Sequence, residues 1–218
     1  IVNLQPRLAA AFTIGIGDSH AAFPEPQFKL EPISRRGDPE LAGELIKALY
    51  AKGFDPAHSS ELRLDHGTTL PLARLMIPPQ VAIVPIIINS IFAPLPTLAR
   101  CRALGTAIAD AVAASTLHRR VGLLATGGIS HAVGTPGMEL NDTAFDAAFL
   151  SALAEGRLDD ACAYPDAVLD AAGNGTHEIR NCVTAAAAAR PRRPRTFTAI
   201  PYAPGWDSGV HQLLWELA

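Results

Sequence analysis

The feature that most restricts the possible folds is the alternation of short apolar runs with amphipathic helical segments. The runs 10–17, 81–89 and 120–128 are predicted as strands that are apolar on both faces. Helical periodicity covers the intervening segments 38–54 and 101–115. Strands that are apolar on both faces must be covered on both sides, which is typical of parallel sheets. The sequence therefore predicts an α/β fold with a mostly parallel central sheet and helices on both faces.

Local signals define the ends of the first helix. Asp38 is predicted as its N-cap and Pro39 as a residue of its first turn, and Gly53 follows its last turn. The apolar face predicted between these ends consists of Leu41, Leu45, Ile46 and Leu49.

The second half of the sequence is predominantly helical. Helical patterns cover 142–156 and 176–189, and the basic, proline-rich segment 190–195 predicts a solvated turn before a strand at 196–202. The last stretch has helical spacing, with an apolar stripe formed by Val210, Leu213, Leu214 and Leu217 beside Trp215.

Composition excludes several classes of protein. The 218 residues carry a net charge of −3, with 18 Lys and Arg against 21 Asp and Glu, so the positive field that nucleic acid requires is missing. The longest apolar run, at 81–88, is too short to span a bilayer. Three cysteines without paired spacing fit reduced thiols, which favours the cytoplasm. We expect a single domain over residues 1–218 without a membrane or nucleic-acid partner. Because the sequence begins without Met or a leader, we also expect it to be incomplete at the N-terminus.

Polar residues that follow the apolar runs are the first candidates for a functional site, because ligands of open α/β sheets bind at the carboxyl ends of strands. A single histidine on a loop is more often structural than catalytic. Gly67 after His66 and the Gly127–Gly128 pair before His131 favour function there, because glycine lets a backbone approach another group closely. The candidates are Asp18, Ser19, His20, Asp65, His66, Asn89, His131, His177 and Glu178.

Taken together, several ordered segments resemble one enzyme family. They are AFTIGIGD, LDHGTTLPL, VPIIINSIFAPLPTLARCRALGTAI, ATGGISHAVGTPG, GTHEIRN and FTAIPYAPGWDSGVHQLL, and together they span nearly the whole chain. In this order they resemble the catalytic subunits of class III extradiol ring-cleavage dioxygenases of the protocatechuate 4,5-dioxygenase type. The resemblance implies a phosphorylase/hydrolase-like single domain.

The resemblance also implies a set of site residues. Members of the family hold non-haem Fe(II) on two histidines and one glutamate. The glutamate corresponds to Glu178, and His131 corresponds to the acid/base beside the oxygen site. His66 corresponds to a histidine that contacts the hydroxyl or carboxylate region of the substrate. The segments that carry the two iron histidines of the family are missing from this sequence. We interpret His20 as a pocket-rim or structural residue.

The implied reaction is the opening of the ring of a catecholic, protocatechuate- or gallate-like substrate by dioxygen. One alternative is a non-catalytic subunit or relative of the same fold that lacks iron. Another is a hydrolase or phosphorylase that uses His131 as a base and the GNGT segment as an anion cradle, although no GxSxG turn is present. For the dioxygenase we expect a homodimer, or a heteromer with a small helical subunit.

Overall fold

The computed structural model of the protein describes residues 10–25, 33–135, 138, 141–190, 192–200 and 209–216. The chain divides into two compact units. The first contains residues 1–95 and 107–126, and the second contains residues 96–106 and 127–218.

The described strands are short. They are β1 (Phe12–Gly15), β2 (Ser19–Ala21), β3 (Ser34–Arg36), β4 (Ala57–Ser59), β5 (Ile86–Ile88), β6 (Thr196–Ile200) and β7 (Val210–Leu214).

The described helices account for most of the regular structure, and none of them is long and apolar enough to cross a membrane. They are α1 (Pro39–Ala51), α2 (His66–Arg74), α3 (Leu98–Ala114), α4 (Thr143–Ala154), α5 (Leu158–Ala161), α6 (Asp166–Ala171), a 3-10 helix (Thr176–Glu178) and α7 (Ile179–Ala188).

Helix α1 begins where its local signals predict. The Asp38 carboxylate accepts a hydrogen bond from the Leu41 amide at 3.1 Å, and Pro39 lies in the first turn. One face of the helix is buried through Leu45, Leu49 and their neighbours, and Phe12 of β1 packs edge-on against Phe54 just beyond the helix. The predicted N-cap is therefore confirmed, and so are Leu41, Leu45 and Leu49 of the predicted apolar face, whereas Ile46 is only half-buried.

The sheet of the first unit has three strands in the order β4-β1-β5. Strand β1 pairs in parallel with β4, with Thr13 opposite Ala57, and antiparallel with β5, with Thr13 opposite Ile87. Strands β2 and β3 form a separate antiparallel pair. The fold is mixed α/β as predicted, but the described strands do not form a mostly parallel sheet.

The predicted strand at 120–128 does not form. This stretch is irregular, and the side chains of Val121, Leu123 and Leu124 are exposed. A strand is stable only when its backbone groups have partners, and no described strand pairs with this stretch. The prediction from its apolar composition is therefore wrong for this structure.

The second unit is built around helices α4 to α7. The rings of Phe145 and Phe149 on α4 stack with centroids 6.1 Å apart, and Tyr164 packs edge-on against Phe145 at 5.0 Å. Helix α7 buries Ile179 and Val183 completely. This apolar packing anchors the 3-10 helix that directly precedes α7.

Strands β6 and β7 form an antiparallel hairpin in the second unit. The predicted strand at 196–202 is observed as Thr196–Ile200, and the remainder lies outside the described residues. The helix indicated by the spacing of Val210, Leu213 and Leu214 is not observed, because these residues lie in strand β7. Leu217, the fourth residue of the predicted stripe, is outside the described residues. A short apolar stretch is compatible with both the helical and the strand periodicity. Here the pairing with β6 favours the strand.

Candidate active site

Two motifs of the sequence, the GGISHAV loop and the GNGTHE turn, are hydrogen-bonded to each other in the second unit. The amide of Gly175 donates to the carbonyl of His131 at 3.0 Å. The Asn174 side chain accepts from the amide of Val133 at 2.7 Å and donates to its carbonyl at 2.9 Å. These bonds fix the backbone of His131 against the turn that carries Glu178.

The carboxylate of Glu178 lies directly on the backbone of the two glycines that open the loop. Its Oε2 accepts a hydrogen bond from the Gly128 amide at 2.6 Å. A Cβ at Gly127 would lie 2.9 Å from the same oxygen, and the φ angle of Gly127 is +137°, a value that side chains rarely tolerate. Glycine at position 127 is therefore required for the carboxylate to reach this position.

The imidazole of His131 is buried beside this carboxylate. Its Nδ1 lies 3.0 Å from the carbonyl of Ile129, and its Nε2 lies 3.8 Å from Oε1 of Glu178. A carbonyl only accepts hydrogen bonds, so Nδ1 carries the proton and the basic atom of the neutral ring is Nε2. The ring also lies close to the backbone of the turn, since a Cβ at Gly175 would be 2.2 Å from Nε2. His131 and Glu178, predicted from separate motifs, are thus brought together.

The described residues do not supply a complete iron site. Nowhere in the described part of the chain do three His, Cys, Asp or Glu side chains cluster in a way that could hold a metal ion. Glu178 offers one carboxylate, whereas a facial triad requires two histidines beside it. The residues present therefore fit one ligand of such a centre and not the whole set.

His177 was a candidate from its position after a glycine-rich turn, but its two ring nitrogens have structural partners. Arg180 donates to Nδ1 at 2.6 Å, so Nε2 carries the proton and donates to Asp170 at 2.7 Å. The guanidinium of Arg180 is fully buried and also donates to Asp166 and to the carbonyl of Pro96, each at 2.7 Å.

This network was not predicted from the sequence, although the His-x-x-Arg spacing of one helical turn was a signal for it. It fixes the junction between the 3-10 helix and α7, and Glu178 is the residue at that junction. The buried arginine therefore holds the backbone of the candidate ligand in place.

Ser130 is not arranged as a nucleophile. Its hydroxyl accepts from the Asp142 amide at 2.9 Å and donates to the Asp142 carbonyl at 3.3 Å, and its amide donates to Asp146 at 2.9 Å. Burial raises the pKa of Asp146, and the hydrogen bond from Ser130 opposes this shift. Ser130 thus joins the loop to the start of α4.

The GNGT segment is not an open anion cradle. The amides of Gly175, Thr176 and Glu178 donate to carbonyls of the protein, at 3.0 Å in each case. The hydrolase or phosphorylase alternative therefore lacks both its nucleophile and its anion site in this part of the structure.

The third candidate, His66, lies in the first unit at the start of α2. Its Nδ1 is 2.9 Å from a carboxylate oxygen of Glu25, whose side chain is about nine-tenths buried. Asp65 precedes it as the N-cap, and burial raises the pKa of the Asp65 carboxyl. Glu25 was missed in the sequence analysis, because an isolated glutamate between two prolines carries no periodic or motif signal.

The remaining candidates are structural or exposed. His20 is buried rather than at a pocket rim, with its ring against the backbone of Gly15 and Gly37. The Asn89 side chain closes a turn by bonding the backbone of Ile91 and Phe92. Asp18 and Ser19 are exposed.

Comparison with known proteins agrees with the resemblance drawn from the motifs. The sequence profile of the family described as catalytic LigB subunit of aromatic ring-opening dioxygenase matches residues 7–199. Three relatives share the name 2,3-dihydroxyphenylpropionate/2,3-dihydroxicinnamic acid 1,2-dioxygenase.

The relative from Mycobacterium sp. (strain MCS) is 32% identical over 194 residues, covering 68% of this chain and 61% of the relative. The one from Klebsiella pneumoniae subsp. pneumoniae is 30% identical over 195 residues, covering 68% of this chain and 62% of the relative. The one from Photorhabdus laumondii subsp. laumondii is 44% identical over 91 residues, covering 41% and 28%.

The chain spans about three fifths of the length of the relatives that it matches most extensively. The family profile nevertheless covers the GGISHAV loop, the GNGTHE turn and the DHG motif that carries His66. The chain belongs to the family of catalytic LigB subunits of aromatic ring-opening dioxygenases.

Proposed function

We propose that the protein opens the aromatic ring of a catecholic substrate with dioxygen, beside the two hydroxyl groups. The observation that supports this most directly is the pairing of His131 with Glu178, with Nε2 3.8 Å from the carboxylate. A buried imidazole next to a carboxylate is suited to holding and moving a proton during a multistep reaction.

His131 acts as the acid/base in this proposal. Its Nδ1 is held by the Ile129 carbonyl, so proton transfer takes place at Nε2. The ring is fixed by the backbone of Gly175, which keeps Nε2 in one direction. His66 contacts a hydroxyl of the substrate and helps to orient the ring that is opened.

Fe(II) is the proposed cofactor, with Glu178 as its carboxylate ligand. In such enzymes the iron supplies the redox chemistry between the ring and oxygen. The described residues contribute one ligand to this centre, and the roles of His131 and His66 are confined to binding and proton transfer.

The substrate is a catechol, and the candidates differ in where a carboxylate is attached. Protocatechuate and gallate carry it on the ring, and the relatives are named for catechols that carry it on a three-carbon side chain. We include all three in the test, and the names of the relatives favour 2,3-dihydroxyphenylpropionate.

We also place the protein in the cytoplasm. Cys101, Cys162 and Cys182 are free thiols. Thiols of this kind fit a reducing compartment.

The test is ring opening by the iron-loaded full-length protein, followed by absorbance of the ring-opened product. His131→Phe should lower kcat by about 10²-fold or more and leave the iron content unchanged, because a positioned acid/base contributes roughly 10² to 10⁴. Glu178→Ala should lose iron as measured by metal analysis. Replacing the exposed His58 with Phe and the exposed Glu61 with Ala should change neither quantity.

Two results would contradict this proposal. Undiminished iron in Glu178→Ala would remove Glu178 from the metal centre. An iron-loaded parent that opens none of the three catechols would favour a non-catalytic member of the family.

A further inference from the structure

The contact between Glu25 and His66 is a carboxylate–imidazole pair that the proposed reaction does not yet use. Oε1 of Glu25 lies 2.9 Å from Nδ1 of His66, and the two residues are 41 positions apart in the sequence. The exposed fraction of the Glu25 side chain is 10%, and that of the His66 side chain is 26%. The pair is therefore largely shielded from water. A charge-assisted hydrogen bond is stronger in such a shielded position than on the surface.

The pair fixes the protonation pattern of the ring. An ionised carboxylate only accepts hydrogen bonds, so Nδ1 of His66 is the donor. In the neutral ring the basic lone pair then lies on Nε2, on the opposite side of the imidazole. When Nε2 takes up a proton, Glu25 stabilises the resulting imidazolium by its charge.

A second carboxyl group lies beside the pair. Asp65 directly precedes His66 and is buried, and burial raises the pKa of its carboxyl. Glu25 is the carboxylate in contact with the ring, with its Oε1 at Nδ1 of His66.

We propose that Glu25 is a positioning residue for His66, holding it as the Nδ1–H tautomer so that Nε2 accepts the proton of a substrate hydroxyl. This inference rests on the proposed function, because it takes His66 to be the residue that contacts the hydroxyl. It adds a specific residue and a specific ring atom to that contact.

The tautomer can be measured without any turnover. Nitrogen-15 NMR of the histidine side chains should show His66 protonated at Nδ1 in the parent protein. Glu25→Ala should shift His66 towards the Nε2–H form that free histidine prefers. Glu25→Gln should keep the Nδ1–H form, because the amide oxygen still accepts a hydrogen bond.

Glu40→Gln is the matched control. Glu40 pairs with Arg119 at the same 2.9 Å in the same unit, but both side chains are largely exposed. The same substitution there should leave the His66 spectrum and the kinetics unchanged.

Kinetics of the iron-loaded full-length protein with 2,3-dihydroxyphenylpropionate supply the second measurement. Glu25→Ala should lower kcat on the order of 10- to 100-fold, the effect typical of losing a partner that orients a histidine, with a smaller change in KM. Glu25→Gln should recover part of that loss. A purely structural role would instead lower the fraction of folded protein and leave the tautomer unchanged.

The outcomes separate this inference from the proposed function. A Glu25→Ala variant that keeps the Nδ1–H tautomer, or keeps the parental kcat, overturns the role of Glu25. An iron-loaded parent without activity on any catechol overturns the proposed function and the catalytic part of this inference together. In that case the NMR result still decides whether Glu25 sets the tautomer.

Discussion

The His20 side chain illustrates at the residue scale how a polar residue after a strand can be part of the core. It is 1% exposed, and its Nδ1 contacts the carbonyl of Leu62 at 3.2 Å. A Cβ at Gly15 would lie 2.7 Å from its ring, so the glycine makes room for the imidazole. Burial lowers the pKa of His20 from 6.5, and the hydrogen bond to Leu62 opposes this shift.

This lowered pKa predicts a pH dependence of stability. Below about pH 6.5 the unfolded chain protonates this histidine while the folded chain keeps it neutral. The unfolded state then binds more protons, so the free energy of unfolding should fall as the pH drops from 6.5 to the lower pKa of the folded state. Urea unfolding at pH 7.5 and pH 5.5 measures the difference.

His20→Gln isolates the contribution of this residue. The variant should be less stable at both pH values and should lose part of the difference between them, because glutamine does not titrate. His58→Gln, at an exposed position, should keep the parental difference. An equal pH difference in the parent and in His20→Gln would show that His20 does not cause it.

Candidate site residues could be predicted from the sequence only where they belong to a motif. His131 and Glu178 lie in glycine-rich motifs that the sequence marks as candidates, and the structure places their side chains 3.8 Å apart. Glu25 belongs to no motif, and its partner is 41 positions away. Such a pairing depends on tertiary structure, so the sequence alone could not predict it.

At the scale of elements, local signals predicted helices better than strands. Helix α1 carries its own N-cap and proline, and its interactions are local, so its start at Pro39 followed from the sequence. Segment 120–128 and β7 depend on partners distant in sequence. The first has no described partner and stays irregular, and the second pairs with β6 instead of forming a helix.

The contact between the GGISHAV loop and the GNGTHE turn predicts a specific effect of Gly175→Ala. The backbone of Gly175 is in the ordinary helical region, with φ −79°, so alanine causes no backbone strain there. Its methyl group would lie 2.2 Å from Nε2 of His131, and the imidazole would have to move. We expect kcat to fall by roughly tenfold or more, and the free energy of unfolding to fall by about 1–3 kcal/mol.

Gly122→Ala is the control for this substitution, because a Cβ there would meet no atom within 4 Å. It should change neither kcat nor the urea midpoint. If Gly175→Ala retained the parental kcat, the fixed direction of the His131 ring would not matter for the reaction.

At the scale of the whole molecule, composition and periodicity predicted the mixed α/β class but not the arrangement of the strands. The central strand β1 has one parallel and one antiparallel neighbour. The direction of β5 depends on the path that the chain takes from the end of α2 to the edge of β1, and no local sequence pattern encodes that path. The sheet order was therefore beyond what apolar runs could predict.

The hairpin formed by β6 and β7 exposes apolar side chains that could contact a second chain. Its large apolar side chains Phe197, Ile200, Val210 and Leu214 are each between 44% and 49% exposed. Register places Phe197 on one face and Ile200 opposite Val210 on the other, so both faces present apolar surface. A two-stranded hairpin with exposed apolar groups is only marginally stable alone, and contact with another chain would bury this surface.

We therefore expect the protein to form a homodimer, or a heteromer with a small helical subunit, through this hairpin. Light scattering of the purified full-length protein at working concentration should give a mass above that of one chain of the same protein. Ile200→Thr combined with Val210→Thr should shift the mass towards the monomer, because threonine keeps the strand propensity and removes apolar surface. Val168→Thr replaces a similarly exposed residue on α6 and should leave the mass unchanged. A monomer that opens a catechol at the parental rate would show that the reaction needs no second chain.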